Sequence, residues 1–163
     1  MTTDILLDPN EWEAPTGPLA NLAAEAVAAE RLLALDPSAR WFGGNGRGAD
    51  VKSRTLRVDA KRVTVHQVDG SCVVRLVRRD GVPFDPAVVD VLCLVHMVDD
   101  VGAAVVGVDG AVSLAYEGRA ADVWWVPVDE MNAILGEFDP GSFRHVDIDR
   151  TRLDAVADPQ ATA

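Results

Sequence analysis

The stretch Trp41 to Val65, WFGGNGRGADVKSRTLRVDAKRVTV, decides how the rest of the chain is read. From Leu56 to Lys61 the apolar Leu56, Val58 and Ala60 alternate with Arg57, Asp59 and Lys61. Alternation of this kind is the pattern of a half-buried strand, and it places Asp59 and Lys61 on one face. Upstream, a loop holding Gly43, Gly44, Gly46 and Gly48 runs into Asp50 and a short extended piece. Folded back as a hairpin, that piece brings Asp50 beside Asp59 and Lys61, so that two carboxylates and an ammonium converge.

Working outward, the pattern predicts a helix from about Pro18 to Leu35, with proline in the first turn and Asp36-Pro37 as its stop. At 100° per residue, Glu30 falls near the middle of its apolar face, Glu25 at the edge and Arg31 beyond it. An acid in an apolar stripe needs a partner, either an arginine of the basic segment or a cation. Downstream, Asp69-Gly70 predicts a tight hairpin turn between the strand ending at Val68 and a strand over Ser71 to Val77. Ala87 to Val98 reads as a buried strand, with Asp85-Pro86 as an alternative helix start. A second hairpin is expected around Asp109-Gly110, then a strand over Val123 to Val128 with one of Trp124 and Trp125 buried and the other exposed. Asp129 is expected to cap a short helix that Gly136 closes. The fold class is therefore α/β, a mixed sheet of five or six strands with the N-terminal helix on one face. Residues 1–17 read as an arm attached through Trp12, 18–136 as a single domain, and 137–163 as an acidic tail held loosely by Phe138 and Phe143.

With 163 residues and 48% hydrophobic content, the chain is long enough for one real core. Its apolar runs are too short or too interrupted to span a bilayer, and the start MTTDILLDPNEWE lacks a basic, signal-like segment. A cytoplasmic protein with no membrane partner is expected. Cys72 and Cys93 each sit in an apolar run, as buried thiols do, and His66, His96 and His145 share no ligand spacing. The net charge is −11, yet Arg40 to Arg79 carries ten basic residues against three acids. Such a segment can face a polyanion locally, or its arginines can guard edge strands.

The order of these features, a helix with an inward Glu, a turn Asp, then a strand Asp-x-Lys, resembles the PD-(D/E)xK superfamily of restriction-endonuclease-like nucleases over about Pro18 to Val98. On that resemblance Asp50 matches the first acid, Asp59 the second, Lys61 the lysine, and Glu30 the helix carboxylate found in part of the superfamily. It implies a restriction-endonuclease-like fold and Mg²⁺-dependent cleavage of DNA, with Glu30, Asp50 and Asp59 holding the metal and Asp50, Asp59 and Lys61 carrying the catalysis. Homodimerisation is left open. Three positions depart from the pattern: Ala49 stands where proline is frequent, the second acid is Asp rather than Glu, and the acids are only nine residues apart. Asp50-Val51-Lys52 has the same Asp-x-Lys form, so the motif has two possible centres, or both are charge pairs on a solvated strand. A non-catalytic module of the same fold, binding protein or nucleic acid through its basic strands, is the alternative function.

Overall fold

The computed structural model describes residues 2–4, 19–42, 48–77, 83–98, 103–108, 111–116, 119–139 and 145–158. Trp12, Phe143 and the Asp109-Gly110 turn lie outside them. The elements run β1 (Thr2–Asp4), α1 (Leu19–Leu35), β2 (Arg40–Trp41), β3 (Val51–Lys52), β4 (Arg57–Val68), β5 (Ser71–Val77), β6 (Val91–Met97), β7 (Ala103–Val108), β8 (Ala111–Tyr116), β9 (Ala120–Pro127), α2 (Val128–Leu135), β10 (His145–Asp149) and α3 (Arg150–Val156). The class is mixed α/β, as the sequence leads one to expect. The strand count is larger: seven strands form the main sheet, and β1, β8 and β7 form a separate three-stranded one.

The alternation of β4 organises the main sheet. Val58 and Ala60 point into a core shared with Leu22, Ala26 and Ala29 of α1, while Val63, two residues beyond Lys61, points into the opposite core under α2 and α3. Arg57, Asp59 and Lys61 therefore belong to the face away from α1. On one edge β4 pairs in parallel with β6, over Val58 to Val63. On its other edge it pairs antiparallel with β3 at Arg57 and Val58, and with β5 from Val63 onward. Residues 59–62 thus face a gap between β3 and β5, in which no strand among the described residues partners them. The Asp69-Gly70 turn forms as expected, with both residues at positive φ (50° and 81°), the left-handed pair that a two-residue hairpin requires.

Helix α1 packs against both sheets, and every residue from Leu22 to Ala29 is buried. Burial on all sides explains why the stretch is so rich in alanine and why a one-faced reading of it fails. Trp124 and Trp125, expected to divide between core and solvent, are both buried, one in each core, because helices cover both faces of the sheet at β9. Helix α2 starts two residues earlier than expected: Pro127 is its cap and Asp129 lies in its first turn, where its charge complements the helix dipole. The expected loose tail is corrected most strongly. β10 pairs with Val73 to Val77 of β5, and Val146, Ile148 and Leu153 are buried, so the domain's core extends to α3.

Candidate active site

Asp50 sits at the sheet gap because its backbone is fixed on both sides. Its N–H donates to Val58 O (2.9 Å), and its carbonyl accepts from Phe42 N–H (2.9 Å). Gly48, at φ 122°, brings the chain into this position through a conformation that a side chain would strain. Beyond the end of β3, the Asp50 carboxylate turns into the gap, and its Oδ2 accepts the Ala60 N–H at 2.8 Å. A side chain thereby satisfies a backbone donor that a neighbouring strand would otherwise take.

From this position Asp50 meets groups on both faces of the sheet. On the α1 side its carboxyl shares a hydrogen bond with Glu25, which is only 8% exposed. On the other side it adjoins Asp59, whose Oδ1 is fully buried and lies 2.9 Å from Lys61 Nζ. That approach is an ion pair without the direction of a hydrogen bond, and Asp59 Oδ1 finds no other donor among the described residues. Lys61 keeps about a third of its side chain exposed (37%), so the cluster opens to solvent at its ammonium.

The electrostatics follow from three carboxyls and one ammonium in a partly dry place. Burial pushes Asp50 well above the usual carboxylate range, and the neighbouring Glu25 adds to the effect. Burial likewise raises Glu25, against the hydrogen bond from Asp50. Asp59 is pushed up to about 6 by burial, with Lys61 pulling it down and Asp50 pushing it up. For Lys61, burial favours the neutral form but is outweighed by Asp59, Asp50 and Glu25, which hold it charged. A single cation stands against three acids, so burial and mutual repulsion favour the protonated forms of Glu25 and Asp50.

The sequence-derived residues Asp50, Asp59 and Lys61 are thus brought together, and the Asp59-x-Lys61 reading is the one that shares the cluster. Glu30 is replaced in it by Glu25. Five residues further along the helix, Glu30 points about 140° away from Glu25 and is only partly buried. Glu25 was detectable in the sequence as the lone charge between Leu19 and Ala29.

Among the described residues no group of three or more His, Cys, Asp or Glu side chains is disposed to hold a metal ion. Mg²⁺, however, needs only one or two carboxylates besides water and substrate phosphate. Asp50 and Asp59 fit that demand: both are hard oxygen donors, they are adjacent, and one Asp59 oxygen is buried without a hydrogen bond. A divalent cation there would offset the mutual repulsion of the carboxyls.

The basic segment divides on folding. Arg57 is engaged by Asp90 through paired contacts of 2.8 and 3.0 Å, and Arg75 by Asp147 at 2.8 Å. Neither guanidinium is free for phosphate. Comparison of the chain with protein-family models, with curated proteins and with solved structures returns no match.

Proposed function

We propose that this chain is a Mg²⁺-dependent nuclease, hydrolysing phosphodiester bonds of DNA at the Glu25–Asp50–Asp59–Lys61 cluster, on a restriction-endonuclease-like fold. The observation that carries the proposal is the position of the Asp50 carboxylate, pinned by the Ala60 N–H in the gap of β4 and meeting Glu25 and the Asp59–Lys61 pair at once. Asp50 and Asp59 would hold the ion, which when bound supplies Lewis-acid stabilisation of charge on the phosphoryl group and a more acidic water. Lys61, at the open end, draws the scissile phosphate to the cluster and opposes the negative charge that builds up as the bond to phosphorus forms. Glu25 lies behind Asp50 and shares a hydrogen bond with it, which positions the pair to take up or release a proton beside the site. The Ala60 N–H keeps Asp50 oriented throughout, a pre-organisation that costs nothing at the moment of reaction.

One observation favours the non-catalytic module instead: Asp50 is already engaged by Glu25 and the Ala60 N–H, and Asp59 is already paired with Lys61. Incubation of the chain with labelled single- and double-stranded DNA in millimolar Mg²⁺ or Mn²⁺ separates the two. The nuclease gives metal-dependent cleavage that Asp59→Asn and Lys61→Ala remove. Intact DNA with every metal, from a chain that still binds it, establishes the module.

A further inference from the structure

A second constellation lies beside the cluster. Asp36, Pro37, Ser38, Arg40, Phe42, Lys52, Ser53 and Arg54 line an open cleft of about 590 Å³ where β2 and β3 reach the sheet edge. Arg40 and Lys52 are cross-strand partners, and Lys52 is in turn the partner of Arg57. Their side chains therefore share the face of Asp59 and Lys61, opposite the one where Trp41, Val51 and Val58 pack towards α1. The cleft thus opens on the sheet face that also carries Asp59 and Lys61, with Lys52 two residues from Asp50.

The charges of the cleft differ from those elsewhere in the basic segment. Among the described residues, none of Arg40, Lys52 and Arg54 forms an ion pair with a carboxylate. Arg40 donates to the carbonyls of Pro37 and Ala39, and Lys52 Nζ lies 4.5 Å from the centre of the Phe42 ring. The single acid, Asp36, is turned onto the Ser38 N–H and hydroxyl, which with Arg54's charge hold it below the usual carboxylate range. Three cations against one already-bonded acid leave the cleft positive in a chain of net charge −11. A partly exposed aromatic ring in such a place adds a flat surface, which a phosphate alone does not need but an unpaired base does.

We infer that this cleft is a subsite for a single-stranded nucleic-acid segment flanking the scissile bond, with Lys52 and Arg54 on its phosphates and Phe42 stacking an unpaired base. Arg40, tied to two carbonyls, shapes the floor and adds charge. The inference deepens the nuclease reading and rests on it for the position of the scissile bond. Single-stranded binding is sequence-tolerant in this arrangement, because every base offers a flat face and every linkage a charge.

The test is fluorescence anisotropy of a labelled 12-nucleotide thymidine strand, and of a duplex of equal length, with the full chain in EDTA from 50 to 200 mM salt. Without metal there is no hydrolysis, so binding is read separately from catalysis. The expected result is tighter binding of the single strand. Lys52→Ala and Arg54→Ala each weaken it several-fold and lower the salt slope by about 0.7, the value for one phosphate contact on a single strand. Phe42→Leu weakens it about 5- to 20-fold with the slope unchanged, and does not affect the duplex. Arg75→Ala, remote and exposed, leaves binding as it was. These results support the subsite even if the parent chain fails to cut DNA in Mg²⁺, an outcome that overturns only the nuclease reading. No single-strand binding at 50 mM salt overturns the inference, as does binding indifferent to Lys52, Arg54 and Phe42, or an equal loss on duplex with Phe42→Leu.

Discussion

Two acids, Asp90 against Arg57 and Asp59 two residues further along β4, meet the same face of that strand, and the sheet treats them oppositely. Asp90 grips Arg57 through two side-chain contacts and the Arg57 N–H (2.8 Å), and the guanidinium beside it holds its carboxyl below the usual range. Asp59, one turn of the alternation further, is pushed up to about 6, because burial and Asp50 outweigh its one ammonium. The first arrangement is complete: each donor has an acceptor, and nothing is gained by adding a ligand. The second holds surplus negative charge that only a proton or a cation can relieve. An ion pair that lowers a carboxyl's affinity for protons is a structural clamp, whereas a cluster that raises it is suited to a ligand or to chemistry.

The sharpest way to break this contrast is kinetic. Lys61→Ala and Asp50→Asn are expected to lower the rate of DNA cleavage by about 10²–10³-fold or more, whereas Arg75→Ala leaves it unchanged. Equal rates in parent and Lys61→Ala chains would remove the distinction between site and clamp.

Metal binding comes next. Saturating Mg²⁺ or Mn²⁺, at a hundredfold excess over Kd, stabilises a native state that alone binds it by about 2.7 kcal/mol. A melting temperature higher by roughly 5–10 °C is expected, and Asp59→Ala abolishes the rise. A melting curve indifferent to both ions would place the acids in a closed structural network.

The pH dependence of the metal-free chain sharpens the same comparison. Glu25, Asp50 and Asp59 hold protons more tightly folded than unfolded, so their contribution is complete below the unfolded value near 4. It is lost as pH rises through their folded values, about 6 for Asp59. Asp90 and Asp147 act in the opposite sense, losing their contribution as pH falls below 4. Urea unfolding in EDTA should therefore give a stability that declines by on the order of 1–3 kcal/mol between pH 4.5 and 7. Asp50→Asn should flatten that decline, and its persistence in the variant would assign it to other groups.

The smallest effect is at the clamp. Asp90→Ala leaves the Arg57 N–H and guanidinium without their acceptor and is expected to cost about 1–2 kcal/mol by urea unfolding, without altering the response to Mg²⁺. A lost metal response in Asp90→Ala would couple the clamp to the site.

Much of this arrangement is legible in the residues themselves, and the exceptions have physical causes. The two-residue alternation of Arg57 to Lys61 is a local property of an extended chain with one face buried, so Asp59 and Lys61 could be assigned to one side without any knowledge of their neighbours. Asp69-Gly70 marks its turn for an equally local reason, since few residue pairs accept two positive φ angles. Glu25 was misjudged because the moment of a helix measures contrast between its faces, and α1 has little contrast where two sheets bury it. β10 was missed because HVDID carries only two apolar residues. Its acids become intelligible when Asp147 meets Arg75, 72 residues away.

The sequence by itself determined the strand through Asp59 and Lys61, the face those two share, and the candidacy of Asp50, because each depends on periodicity or on the conformational limits of single residues. Only the tertiary structure decided which helix acid meets them, which arginines are already engaged and which cations gather at one cleft. Those outcomes depend on the gap between β3 and β5, and a gap in a sheet is created by where distant strands stop, a fact that no local pattern encodes.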